Sequence, residues 1–218
     1  MNYNLKNILD QWMKNLCLKE CSCRPLLVIL ISLYSIYLRF IRLANRNLWD
    51  DEIFQFNNIV GPLKPFWANV GYISGDHTTF PGEYVLTYPF VQWFGLNKWA
   101  LAVPHIVITI LGFYFLYKLC SRYFKTTLGY IVAFTLVCFN VNLIFHSFEF
   151  RPYAVLPTLA LGAFYFSDII VTQYAQISRT KKILIALFFI MGASYHAYGI
   201  IIFVLPAIYV ITTSWDGR

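Results

Sequence analysis

Long apolar runs separated by short polar connectors dominate this chain of 218 residues. An apolar run of about 20 residues is long enough to cross a bilayer as a helix. Such runs predict a first transmembrane helix and at least three later ones, at 25–43, 99–119, 128–146 and 152–172. Residues 152–172 also contain Asp168, which we expect to make a buried polar contact or an interface contact.

The last apolar stretch, residues 183–213, has an ambiguous length. It is too long for one span and too short for two full ones. The polar sequence around His196 interrupts it, which predicts a broken helix or a short hairpin at that point. Residues 214–218 follow soon after the run, and we expect them to belong to an interrupted protein.

Two segments outside the apolar runs carry their own patterns. Residues 1–24 repeat apolar positions at three- and four-residue spacing, which predicts an amphipathic helix lying in the headgroup region. Residues 44–98 are too long for a simple connector and are rich in aromatic residues, glycine and proline. We interpret this segment as a folded loop of short surface helices.

Composition and charge place the chain in the membrane class. The sequence is 59% apolar and only 12% charged, whereas a soluble domain is near half apolar and a quarter charged. The fold class predicted is therefore all-α, a polytopic transmembrane helix bundle. The net charge of +7 is spread over short loops, so we expect membrane lipid and no nucleic acid as a partner.

The distribution of basic residues predicts the orientation of the bundle. Lysines and arginines concentrate in the N-terminal segment and in the loops near 118–125 and 179–182. By the positive-inside rule this side, with the N-terminus, is cytoplasmic, and the loop 44–98 is extracytoplasmic. Arg39 and Arg42, at the far end of the first span, are expected to snorkel towards the headgroups.

An acidic run directly after the first span is the strongest candidate site. Asp50, Asp51 and Glu52 lie within about ten residues of a membrane-spanning segment, where ionisable groups are costly and usually functional. Carboxylates serve as bases and metal ligands in chemistry on hydroxyl groups. The alternative is a solvated cluster of loop charges beside a membrane anchor.

Three further groups of polar residues are expected on the same side. One contains Asp76 and His77, the second contains Glu149, Arg151 and Tyr153, and the third contains His196. An arginine at a helix start near the headgroups can grip a phosphate, although Arg151 could instead pair with Glu149 or with loop carboxylates. The carboxylates and histidines leave a divalent cation open as a cofactor, but their spacing is too loose to assign a metal site.

Four motifs, in this order, resemble those of the polytopic glycosyltransferases of the C superfamily (GT-C). Residues 48–52 (Leu-Trp-Asp-Asp-Glu) resemble the W-x-D-E signature, and 149–153 (Glu-Phe-Arg-Pro-Tyr) resemble a Glu-Ala-Arg-Pro-Tyr element. Residues 76–84 resemble an Asp-x-His-Pro-Pro motif followed by Leu-Tyr, with Thr-Thr-Phe between His77 and Pro81. Residues 196–199 resemble a Thr-His-Tyr element. The branch resembled is the protein O-mannosyltransferase and aminoarabinose-transferase-like one, glycosyltransferase family 39 and relatives.

This resemblance implies a function and assigns roles to residues. Such enzymes transfer a sugar from a polyprenyl-phosphate donor to an acceptor protein, lipid or glycan outside the cytoplasm, usually with inversion. Asp51 would be the general base and Glu52 its support, while Arg151 would hold the lipid phosphate. Asp76, His77, Glu149, Tyr153 and His196 would contact substrate. The resemblance covers the N-terminal, catalytic part of the family, so these 218 residues could be inactive by themselves.

Two other functions stay open from the sequence. A transporter or flippase would use membrane carboxylates to couple to ions, although the acids here lie in a loop and not at the bilayer midplane. In a non-catalytic membrane scaffold, the acidic loop would have no function. The expected location is a multi-pass position in the plasma or inner membrane, or in the endoplasmic reticulum of a eukaryote.

Overall fold

The computed structural model describes residues 24–47, 50–55, 81–95, 97–147, 149, 152–195 and 197–216. Within these ranges all regular structure is helical, which confirms the predicted all-α class. The α-helices are α1 (Arg24–Ala44), α2 (Asp50–Gln55), α3 (Pro81–Phe94), α4 (Lys98–Tyr123), α5 (Thr127–Cys138), α6 (Val141–His146), α7 (Leu156–Gln173), α8 (Arg179–Tyr195) and α9 (Ala197–Asp216). Short 3₁₀ turns at Pro152–Ala154 and Tyr174–Gln176 flank α7. The predicted amphipathic helix at 1–24 lies almost entirely outside the described residues.

The predicted span 128–146 is divided into two helices. The α5 helix ends at Cys138, and the Asn140 side chain accepts a hydrogen bond from the backbone N–H of Leu143 at 3.2 Å, which starts α6. Asparagine is among the best residues for capping a helix start, because its side chain satisfies a backbone donor that the helix leaves free. With 12 residues, α5 is only about 18 Å long, well short of a bilayer core.

The ambiguous stretch 183–213 forms a helical hairpin. The helices α8 and α9 lie on either side of residue 196, and the rings of Phe189 and Phe203 meet across them with centroids 5.0 Å apart. Contacts between positions placed symmetrically about the interruption show that α8 and α9 run antiparallel. His196 itself lies outside the described residues. Of the two alternatives left by the sequence, the structure has the hairpin.

Contacts between the helices define two distinct ends of the bundle. At the Arg122 end, Arg24 donates to the Thr127 hydroxyl at 3.5 Å, and Tyr123 donates to an Asp168 carboxylate oxygen at 3.1 Å. Asp168 is only 4% exposed, as expected of a buried polar contact. At the Glu52 end, Lys98 at the start of α4 donates to the Ala44 carbonyl at 3.0 Å. The described basic residues that gather at the Arg122 end are Arg24, Lys118, Arg122, Lys125, Arg179, Lys181 and Lys182.

Aromatic rings fill the centre of the bundle where α4, α7 and α8 meet. Phe115 lies 5.4 Å from Phe166 and 5.8 Å from Phe188, and Phe166 lies 5.0 Å from Phe188, measured between ring centroids. Edge-on ring pairs of this kind add stabilisation beyond their buried area. This ring cluster therefore packs α4, α7 and α8 together in the middle of the bundle.

Two of the described helices, α1 and α4, are long and apolar enough to cross a membrane. In the predicted loop 44–98, the described elements are α2 and α3. The α3 helix packs against α4 and α8, and its Thr87 and Val91 side chains are buried. This part of the segment is therefore joined to the helix bundle.

A close approach between α3 and α8 makes the Gly82 position sensitive to a single added carbon. A Cβ atom at Gly82 would lie 2.8 Å from the backbone Cα of Tyr195 and 2.6 Å from its ring. Because backbone cannot rotate away, we expect Gly82→Ala to destabilise the protein by about 1–3 kcal/mol. The thermal unfolding midpoint in detergent measures this loss.

A matched glycine substitution provides the control. At Gly112 an added Cβ would meet mainly the Thr158 hydroxyl, at 2.5 Å, which is a side-chain atom. Gly112→Ala should therefore lower the unfolding midpoint less than Gly82→Ala. Equal midpoints for Gly82→Ala and the unmodified protein would contradict the close approach of α3 to α8.

Candidate functional site

The structure describes only some of the predicted site residues. Glu52, Glu149 and Tyr153 are described, and Asp51 belongs to α2, although its side chain is outside the described part. Tyr153 is half-buried in the 3₁₀ turn that precedes α7. The other predicted site residues, Asp76, His77, Arg151 and His196, lie outside the described residues, and their roles stay predictions.

Glu52 is held in a buried ion pair just beyond the first long helix. Its carboxylate Oε1 accepts from Arg46 Nη2 at 2.5 Å, and the Glu52 side chain is only 1% exposed. A buried charge is tolerated when it is paired, so the guanidinium holds this carboxylate in place. Glu52 therefore acts as an anchored charge, and it fixes the position of α2, which also carries Asp50 and Asp51.

Glu149 is a second buried carboxylate at the Glu52 end. It is 6% exposed, and its Oε1 lies 2.8 Å from His146 Nδ1 at the end of α6. The neighbouring Phe145 ring lies under the Arg42 guanidinium, 3.9 Å from ring centroid to guanidinium carbon. A cation over an aromatic face is attracted by the negative charge density of that face. Arg42 thus ties the segment of Glu149 to the last turn of α1.

Both carboxylates are consequently tied to the same helix end. Arg42 reaches the segment that carries Glu149, and Arg46, four residues later, binds Glu52. The Lys98 ammonium adds a third cation by capping the Ala44 carbonyl. Cations near a helix C-terminus are favoured by the helix dipole. The Glu52 end therefore brings buried carboxylates and cations together around the C-terminus of α1.

Arg39 does not snorkel, contrary to the expectation from its position. It is 2% exposed, and its Nη1 donates to the Ser35 carbonyl at 3.0 Å and to the Cys138 carbonyl at 3.3 Å. The Ser35 hydroxyl also donates to Cys138, at 2.6 Å. The end of α5 leaves carbonyl groups without helical partners, and these attract the guanidinium inwards. Asn140 could have indicated this break in the sequence, because a helix that starts at Asn140 requires the preceding helix to end before it.

Arg39 also lines a small cavity of about 30 Å³, large enough for a water molecule, between α1, α4, α6 and α7. Thr109, Ser147 and Thr158 contribute hydroxyl groups to its wall, and the remaining lining is largely apolar. The cavity is much smaller than the usual small-molecule site in proteins, which measures about 300–1,000 Å³.

The described residues contain no group of three or more histidine, cysteine, aspartate or glutamate side chains placed to hold a metal ion. The Glu52 carboxylate pairs with Arg46 and the Glu149 carboxylate with the His146 ring nitrogen, while Asp168 pairs with Arg122 at the other end of the bundle. Among the described residues, these carboxylates therefore hold side chains and helices in place. The contacts of Lys98 and Arg46 were not predicted from the sequence, because residue spacing along the chain does not identify their partners.

No protein-family model matches the chain, and no curated protein and no solved structure matches it.

Proposed function

We propose that this chain is a multi-pass membrane protein. Its support is the exposure of large apolar side chains around the helices, such as Leu26, Ile29, Leu30 and Leu33 on α1, each more than half exposed. A soluble monomer rarely leaves such a continuous apolar surface open to water. The basic residues at the Arg122 end support an orientation with that end, and the N-terminus, in the cytoplasm. The Glu52 end then faces the extracytoplasmic side of the plasma or inner membrane, or the lumen of the endoplasmic reticulum.

We infer that the protein is a glycosyltransferase that moves a sugar from a polyprenyl-phosphate donor to an acceptor hydroxyl at the Glu52 end. The GT-C-like motifs motivate this proposal. The observation that carries it is the presence of two buried carboxylates at this end, with Glu52 bound to Arg46 and Glu149 beside His146, while Arg42 holds the Phe145 ring against the end of α1. Such preorganised charge is costly to bury and is characteristic of sites that stabilise developing charge.

In this mechanism Asp51 is the general base on the acceptor hydroxyl. Arg46 and Glu52 fix the helix that carries Asp51, so that the base is held where it can reach the proton it removes. Arg151 binds the lipid phosphate and stabilises the negative charge that grows on it as the bond to the sugar breaks. Attack from the face opposite the leaving phosphate inverts the anomeric centre. Asp76, His77, Tyr153 and His196 contact the substrates in this proposal.

The decisive experiment supplies the purified protein with labelled sugars on different carriers. Transfer to an acceptor protein, lipid or glycan is expected from a polyprenyl-phosphate sugar and not from a nucleotide sugar. Transfer from the nucleotide sugar alone would contradict the proposed donor. Movement of the intact lipid across a vesicle membrane without sugar transfer would instead identify a flippase.

A further inference from the structure

A basic cleft opens at the Arg122 end, opposite the proposed catalytic end. It lies between α4, α7 and α8 and encloses about 580 Å³, including space open to solvent. Its wall combines cations with hydrogen-bonding groups, from Lys118, Ser121, Arg122, Tyr165, Gln173 and Lys181. The proposed transfer of sugar makes no use of these residues.

Two positive charges in this cleft have no counter-charge among the described residues. Arg122 forms an ion pair with Asp168 and donates to the Thr172 hydroxyl, so its charge is compensated. Lys118 lies 5.5 Å from the centroid of the Tyr114 ring, and no carboxylate of the described chain pairs with it or with Lys181. Three cations and one carboxylate leave a net charge of +2. The cleft therefore favours an anion.

Apolar stripes lead away from both uncompensated lysines. On α4, Tyr114 and Leu111 lie one and two helical turns from Lys118, and they are 47% and 40% exposed. On α8, Leu184 and Leu187 follow Lys181 and are 58% and 48% exposed. Both stripes run from the cleft towards the middle of the bundle. A ligand that fits has an anionic head and apolar chains, which is the form of an anionic phospholipid.

We propose that this cleft binds the phosphodiester headgroup of an anionic phospholipid, with the acyl chains lying along the exposed stripes of α4 and α8. Lys118 and Lys181 neutralise the phosphate, while Ser121 and Gln173 offer hydrogen bonds to the headgroup. Basic pockets between membrane helices on the cytoplasmic side bind such headgroups in general. This site rests on the membrane insertion proposed above and is independent of the transferase activity.

Lipid binding to the purified protein tests this site by native mass spectrometry in neutral detergent. Phosphatidylglycerol is expected to bind, and phosphatidylcholine is expected not to bind. The double variant Lys118→Gln/Lys181→Gln should bind phosphatidylglycerol about 30-fold more weakly, since each lysine near an anionic lipid contributes about 1 kcal/mol. The double variant Lys118→Arg/Lys181→Arg keeps both positive charges and should retain binding. Its binding would show that changing these two side chains does not by itself disrupt the cleft.

A matched control removes the same charge from the same end. Lys125 and Arg179 are exposed and lie outside the cleft lining, so Lys125→Gln/Arg179→Gln should leave phosphatidylglycerol binding unchanged. Equal losses in the two glutamine variants would overturn the site in favour of non-specific attraction. Competition by inorganic phosphate at the lipid's own concentration would overturn the lipid as its ligand. No sugar donor is present, so an absent transferase activity does not alter these outcomes.

Discussion

Replacing Asp51 with asparagine is expected to lower the rate of sugar transfer by about a hundred- to ten-thousandfold. General base catalysis contributes a factor of this size, and an amide cannot accept the proton that a carboxylate removes. Asparagine has nearly the same shape, so the amount of folded protein and the binding of the polyprenyl-phosphate donor should stay unchanged. Initial transfer rates with saturating donor and acceptor measure the effect.

The adjacent residue provides the matched control for this substitution. Asp50 belongs to the same helix and is exposed, so Asp50→Asn removes an equal charge from the same surface. We expect Asp50→Asn to retain transfer within a few-fold of the unmodified protein. If Asp50→Asn abolished transfer and Asp51→Asn did not, the assignment of the base would be wrong. Full activity in both variants would exclude carboxylate catalysis by this helix.

The second large effect concerns stability, at the buried pair of Arg46 and Glu52. Arg46→Met removes the guanidinium 2.5 Å from a carboxylate that is only 1% exposed, which leaves a buried charge without this partner. Breaking such a pair from one side costs about 3–5 kcal/mol. The free energy of unfolding in mixed micelles of detergent and denaturing surfactant measures the loss.

A double variant separates the pair from the packing around it. Glu52→Leu in the Arg46→Met background removes the buried carboxylate that has lost the Arg46 guanidinium, so most of the lost stability should return. Transfer activity should remain low in the double variant, since α2 loses the contact that positions it. A double variant no more stable than Arg46→Met would contradict the view that the loss arises from a buried Glu52 carboxylate deprived of the Arg46 guanidinium.

The helical class of the fold follows from the sequence, because apolar runs of this length are unmistakable. Helix boundaries inside the runs do not follow so readily. The break between α5 and α6 depends on one capping side chain, Asn140, within an otherwise apolar stretch. The hairpin of α8 and α9 depends on the packing of Phe203 against Phe189, which residue spacing along the chain does not reveal.

The acids of the candidate site could be recognised from the sequence, but their partners could not. Glu52 stands out because it lies in a run of carboxylates beside a span, whereas its pairing with Arg46 depends on how α2 is placed relative to the end of α1. Lys98 reaches the Ala44 carbonyl across 54 residues, a contact that only the folded bundle creates. Arg39 was expected to face the headgroups, and the broken helix beside it draws the side chain inwards instead.

The most direct test of sugar transfer at the Glu52 end is to locate the donor phosphate on the protein. A polyprenyl phosphate that carries a photoreactive group beside its phosphate can be crosslinked to the purified protein, and the labelled peptides can be mapped by mass spectrometry. We expect labels in 141–154 and around α2, removed by excess unlabelled polyprenyl phosphate. Labels confined to the helix ends around Arg122 would contradict a donor site at the Glu52 end.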